Sequence, residues 1–219
     1  MLLCLVGSEM CIRDRVSNNS TLVGCRIPGN KLAKKLITLF DLPIAAPSAN
    51  LSERTSVTNI MDIDPILVKK IFVLKDKQSS HGLESTVVRI DNNNEIEVLR
   101  YGSITVEELN KYAKVKIKKK SSISPGNLKK HYSTLKPIRM NAKRILKNEG
   151  LLNFGNNKLK SKIVNLNLSN KKNLNEAAKN FYHYLHKLDQ SRCKKIAVVE
   201  IPDKGLGKTI NDRLRRAIK

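Results

Sequence analysis

The sequence predicts an α/β protein made of two domains joined by a polar linker. Three observations lead there. Short runs rich in Val, Ile and Leu alternate with segments whose apolar residues recur at helical spacing. The polar stretch 121–137 contains Pro and Gly and has no apolar period. The alternation then resumes and continues to the end of the chain. Hydrophobic residues make up 40% of the 219, enough to build cores, but aromatics are only 4% and Trp is absent. The cores must therefore be assembled from Leu, Ile and Val.

In chain order, Thr21–Ile27 (TLVGCRI) reads as a strand closed by Pro28 and Gly29. Lys31–Phe40 places Leu32, Ala33, Leu36, Ile37 and Phe40 at helical spacing. Pro43–Ala46 reads as a short strand running into the loop PSANLSERTSVT. Asp64–Lys70 reads as a short helix that Pro65 starts at its first turn. Ile71–Leu74 reads as a strand. Ser85–Ile90 and Ile96–Leu99 read as a hairpin around the turn-rich Asp91–Glu95. Thr105–Tyr112 opens with Thr105 and has Glu108 three residues later, the pattern of a capping box.

Beyond the linker, Leu151–Phe154 and Ile163–Leu166 are expected strands. Asn175–Leu188 is an amphipathic helix with Ala177, Ala178, Phe181, Tyr184, Leu185 and Leu188 on one face. Lys195–Ile201 is an apolar strand, and Ile210–Ile218 a helix with a basic outer face. The run GLGKT at Gly205–Thr209 resembles the end of a phosphate-binding loop. That loop needs a Gly five residues before Gly207, where Pro202 stands. The run is read instead as the start of a helix.

The formal charge of +23 attracts polyanions such as ATP or tRNA. The excess is mostly Lys and accompanies many Asn and Ile residues, a mixture an AT-rich genome also produces, so charge alone selects no function. Cys4, Cys11, Cys25 and Cys193 have neither metal-ligand spacing nor a disulfide pattern, which fits a reduced, cytoplasmic protein. No apolar run is long enough to cross a bilayer.

Three segments carry polar groups suited to chemistry. The loop Pro43–Thr58 concentrates small residues and hydroxyls, including Ser48, Ser52, Thr55, Ser56 and Thr58, which suit phosphate oxygens. His81–Ile90 (HGLESTVVRI) places Glu84, Ser85 and Thr86 at the start of a strand behind Gly82. Ser124–Ser133 (SPGNLKKHYS) sets His131 and Tyr132 in a basic stretch. Taken singly, these read more readily as a Ser-rich turn, strand capping and a linker.

Taken together and in order, they resemble the threonylcarbamoyl-AMP synthase family. The motifs are Arg26-Ile27-Pro28, Pro47-Ser48-Ala49-Asn50, Gly82-Leu83-Glu84-Ser85-Thr86, Arg100-Tyr101-Gly102, and Ser124-Pro125-Gly126 with His131-Tyr132. The C-terminal stretch resembles the accessory domain of the family's long form. The resemblance implies part of a YrdC-like twisted mixed sheet with helices over residues 17–120, a linker over 121–137, and a small Rossmann-like α/β domain over 138–219. The first residues, 1–16, contain GSEMCIRDR, which resembles translated sequencing adapter, and are excluded from the fold argument. On that reading native sequence starts near Ser17, inside the catalytic domain, and a chain lacking the upstream Lys/Arg cluster is expected to be incomplete and inactive alone.

The family's reaction joins L-threonine, bicarbonate and ATP into threonylcarbamoyl-AMP and pyrophosphate. A partner complex then transfers the threonylcarbamoyl group to tRNA. By resemblance, Arg26 pairs with the threonine carboxylate, and Ala46 and Ser85 line the threonine and carbamate end. Ser48 and Ser56 lie at the nucleotide phosphates, Arg100 on the nucleotide, and Tyr132 folds over the site as a lid. Mg²⁺ is expected between the phosphates, with no ligand from the protein. Two positions depart from the family: Leu22 stands where Thr is usual, and Asn127-Leu128-Lys129 replaces a Met-Lys-Tyr run. The competing reading is a basic, double-stranded RNA or tRNA-binding module without catalysis. The scarcity of aromatics argues against sequence-specific reading of single-stranded RNA.

Overall fold

A computed structural model describes residues 23–46, 48–51, 53–74, 79, 81–91, 93–117 and 132–218. The segment 1–16, Thr21 and Leu22, and Ser124–His131 lie outside the described residues. The chain forms two compact units, Met1–Ser48 and Ala49–Lys219.

In the first unit, α1 spans Lys31–Phe40 as its spacing predicts. Asn30 caps it, its side chain accepting from the Ala33 N–H at 2.9 Å. The helix stops at Asp41, which turns left-handed at φ 52° while its N–H reaches the Ile37 carbonyl. The expected strands at 23–27 and 43–46 are irregular backbone instead, and so is 71–74 in the second unit. Apolar composition alone does not make a strand; a second strand must offer its N–H and C=O groups.

The second unit holds two sheets. In the first, β1 (Val87–Ile90) and β2 (Ile96–Arg100) form the expected antiparallel hairpin, with Val88 opposite Val98 and Ile90 opposite Ile96. Asp91 organises the turn: its Oδ1 accepts from the N–H groups of Asn93 and Glu95, each at 3.0 Å. A third strand, β3 (Val115–Ile117), lies parallel to β2. Between hairpin and third strand sits α3 (Val106–Leu109), held by the Thr105/Glu108 capping box that its sequence predicts. Upstream, α2 (Pro65–Val68) starts at Pro65 behind its Asp64 cap.

The second sheet is fully parallel, in the order β4-β7-β5-β6. Its strands are β4 (Ile138–Arg139), β5 (Glu149–Asn153), β6 (Asn165–Asn167) and β7 (Lys195–Val198). The long helix α4 (Leu174–Gln190) crosses from β6 to β7, as parallel pairing requires. The last helix, α5 (Leu206–Ala217), packs beside it. Leu151, Leu152, Phe181, Leu185, Leu188, Ile196, Val198, Ile210 and Leu214 fill the core. Burying an aliphatic or aromatic side chain of this size contributes about 1.5–3 kcal/mol.

The helices add two features that their periodicity does not show. On α4 Tyr184 packs half-buried against the core as expected, and Tyr182 beside it is fully buried. On α5 the face is not uniformly basic outward. Arg215 is exposed, but Arg213 is 0% exposed and points into the unit. The charge turns inward because an acidic partner waits there.

Candidate functional site

That partner is Glu84, just before β1. Gly82 brings it to the helices. Gly82 is left-handed at φ +66°, and a Cβ on it would lie 2.2 Å from the Ala178 carbonyl oxygen and 2.4 Å from the Lys179 Cα. Only glycine accepts both the backbone angle and this closeness to α4. One turn further along α4, the Tyr182 hydroxyl donates to Glu84 Oε1 at 2.7 Å. The same oxygen accepts from the Ser56 hydroxyl. The other oxygen, Oε2, accepts from Arg213 Nε at 3.0 Å.

Arg213 spreads its remaining donors along one plane. Nη2 donates to the Tyr101 carbonyl at 2.6 Å, and Nη1 to Asp212 at 2.5 Å. Its flat face lies over the Tyr132 ring, with Cζ 4.6 Å from the ring centre. Tyr132 in turn sits 6.1 Å from Tyr182, centre to centre, and is 1% exposed. The residue expected as a lid is thus seated beneath a guanidinium.

The electrostatics follow from this packing. Burial pushes the Glu84 carboxyl up, but Arg213 together with the Ser56 and Tyr182 hydroxyls outweighs it and holds the group below the usual carboxylate range. Burial, followed by the Glu84 charge, pushes the Tyr182 phenol well above its ordinary value and the Tyr132 phenol up as well. Burial works against the Arg213 charge, and the Glu84 carboxylate more than compensates, raising its pKa. At neutral pH the cluster is an ionised pair ringed by neutral phenols.

Neighbouring segments are stitched to the same place. Arg100, at the end of β2, donates through Nη2 to the Ser85 carbonyl at 2.8 Å. Gly102 lies so close that a Cβ on it would be 2.2 Å from the Thr86 nitrogen. The Ser103 N–H donates to the Glu84 carbonyl at 2.8 Å. Thr209 of the GLGKT run donates its hydroxyl to the Gly102 carbonyl at 3.0 Å, a packing role rather than a phosphate-binding one. The loop bearing Ser56 is held by α4, where the His186 ring lies 3.2 Å from both the Thr55 hydroxyl and the Ser56 carbonyl. It is held again where the Ser133 N–H donates to the Glu53 carbonyl at 2.8 Å.

Of the residues expected to contact ligands, Ser56, Ser85, Arg100 and Tyr132 therefore gather around Glu84 and Arg213. Arg26, Ala46 and Ser48 belong to the first unit, where Arg26 and Ser48 are exposed and Ala46 is half-buried. Sequence reasoning missed Arg213, although a signal was present. Arg213 stands three residues after Ile210 and just before Leu214, on the apolar stripe that continues to Ala217. Among the described residues no group of three or more His, Cys, Asp or Glu side chains could hold a metal ion. No helix of the described residues is long and apolar enough to cross a membrane.

Comparison with known proteins bears on this arrangement. A family model described as threonylcarbamoyl-AMP synthase, C-terminal domain, matches residues 104–218, and one described as telomere recombination matches residues 2–102. The threonylcarbamoyl-AMP synthase of Pyrococcus abyssi is 26% identical over 245 residues, covering 99% of this chain and 69% of its own. That of Bacillus subtilis is 28% identical over 228 residues, covering 94% and 66%. The crystal structure of P. abyssi Sua5 complexed with L-threonine superposes with a TM-score of 0.80 at 24% identity, covering 93% of this chain and 66% of that one. The chain thus spans about two thirds of the length of these relatives. With more than half of its residues matched by a single model of that family, the chain belongs to the threonylcarbamoyl-AMP synthase family.

Proposed function

We propose that this chain serves the synthesis of L-threonylcarbamoyladenylate from L-threonine, bicarbonate and ATP, with release of pyrophosphate. The observation that supports it best is the meeting of three sequence-distant segments at two adjacent residues, Glu84 and Ser85. Glu84 of the G-x-E-S-T strand accepts from Ser56, and its neighbour Ser85 accepts from Arg100. The complex of a structural relative with L-threonine fits this reading.

In this reading bicarbonate and the threonine amine first condense to a carbamate with loss of water. A carbamate oxygen attacks the α-phosphorus of ATP, the bond to the β-phosphate oxygen breaks, and pyrophosphate leaves with the electron pair. Arg26 pairs with the threonine carboxylate, Ala46 and Ser85 line the carbamate end, and Ser48, Ser56, Arg100 and Tyr132 serve the nucleotide. The protein's share is positioning and charge neutralisation, because the transition state at phosphorus is strongly anionic. Mg²⁺ would be held by the nucleotide phosphates and supply further charge neutralisation.

The Ser56 hydroxyl has one proton, and it is directed at Glu84. Ser56 therefore turns toward a phosphate only by leaving that carboxylate. We assign residues 17–120 to the catalytic domain, 121–137 to a linker and 138–219 to an accessory domain. The product passes to a transfer complex that modifies tRNA, and the work is cytoplasmic. The test is pyrophosphate release, requiring all three substrates, from this chain extended to the full length of its relatives. In that protein, turnover that persists without threonine or bicarbonate, or no turnover at all, sinks the assignment, while little or none is expected from residues 1–219 alone.

A further inference from the structure

Arg213 touches the surroundings of every ligand residue assigned within the second unit. Nε holds Glu84, whose other oxygen holds Ser56 and whose chain neighbour is Ser85. Nη2 holds the carbonyl of Tyr101, the residue after Arg100. Its flat face carries the Tyr132 ring. Arg213 lies within the stretch matched by the C-terminal family model, whereas Glu84, Tyr101 and Ser56 lie within the stretch matched by the other.

A buried ion pair is a poor way to gain stability. Well-packed apolar residues of the same volume commonly do as well or better. What an arginine adds is geometry: in-plane donors at fixed angles and a face that stacks on an aromatic ring. Here the in-plane groups reach two backbone-anchored segments, and the face reaches a third. An aliphatic side chain filling the same space would leave these three segments without a common reference.

We infer that Arg213, supplied by the last helix, is a positioning residue for the reaction. It fixes the Glu84 carboxylate, to which the Ser56 loop is tied, and seats the Tyr132 ring, so the C-terminal region takes part in the order of the nucleotide site. The inference rests on the proposed synthase reading for its link to catalysis, and on geometry alone for the seating of Tyr132.

The experiment uses the double variant E84Q/R213M with R213K beside it, and for the kinetic readouts both are made in the chain extended to the full length of its relatives. Removing both charges together avoids stranding one of them, so E84Q/R213M is expected to melt close to wild type. Its kcat/KM for ATP is nevertheless expected to fall by about tenfold or more, because the Tyr132 ring loses its seat on the guanidinium. R213K keeps a buried cation beside Glu84 but offers no flat face, and is expected to show the same loss in milder form. Spectra of the full chain carrying ¹³C-tyrosine, assigned with Tyr132→Phe, should show the Tyr132 ring signal shifted or broadened in both variants. Recovery of wild-type kcat/KM along with stability in E84Q/R213M would make the pair a structural support only and overturn the inference. An unmoved Tyr132 signal in R213K overturns it as well. Absence of three-substrate turnover from the wild-type protein would sink the synthase reading instead, and the Tyr132 spectra would still decide whether Arg213 seats that ring.

Discussion

Arg213 Nε and Glu84 Oε2 meet at 3.0 Å across 129 positions of sequence, with the arginine wholly buried. Removing one member leaves the other without its counter-charge. Arg213→Met alone should therefore destabilise the protein by about 3–5 kcal/mol. Denaturant unfolding measures this directly, and a loss below about 1 kcal/mol would mean that Glu84 finds water or another partner.

The same pair sets an acid limit. Glu84 is held below its ordinary value of 4.5 in the folded protein, and so is Glu149, through its bond to Arg139. A depressed carboxylate stabilises the fold above its unfolded pKa, and that contribution is lost as pH falls through the lower folded value. Stability should hold above about pH 4.5 and decline steadily below it. In Glu84→Gln the decline should be shallower, leaving the shares due to Glu149 and to the other depressed carboxylates, Asp91, Glu95 and Glu107. Melting temperatures from pH 6 down to about pH 3 test this, and parallel curves for the two proteins would refute the Glu84 share.

Gly82→Ala should be costly for two reasons. The left-handed backbone costs about 1–2 kcal/mol. The new methyl meets the backbone of Ala178 and Lys179, which cannot swing aside as a side chain could, adding about 1–3 kcal/mol. The loss should fall on the docking of the strand against α4, so hydrogen exchange should quicken around 82–90 more than at β5. Uniform quickening would place the damage elsewhere.

In the chain extended to the full length of its relatives, Arg26→Ala should weaken threonine far more than ATP in the synthase assay. A guanidinium on a carboxylate forms two parallel hydrogen bonds, and charge-assisted bonds contribute about 1.5–3 kcal/mol each. The KM for threonine should rise at least about tenfold with that for ATP nearly unchanged. Equal rises would count against the assigned role.

Local features were legible in the sequence because their causes are local. The capping box needs only Thr105 and Glu108, the hairpin turn only Asp91 to Glu95, and α4 only its apolar stripe. The α/β class of the region around α4 followed from the alternation of strand and helix. The order of five short motifs was enough to point to the family. Strands β3 and β4 escaped notice because one alternates Lys with Val and Ile beside the linker and the other is two residues long.

The sequence by itself thus determined the class of fold, most of the helices and the family. Only the tertiary structure decided which side of α5 Arg213 occupies, that Tyr132 lies buried under it, and that Gly82 is a contact glycine rather than a mere turn. It also decided that 23–27, 43–46 and 71–74 are not strands. The reason is the same in each case. A strand needs a partner's hydrogen bonds, and a charge turns inward only when a counter-charge is already buried there. Those partners sit far away in sequence, where periodicity and composition carry no information about them.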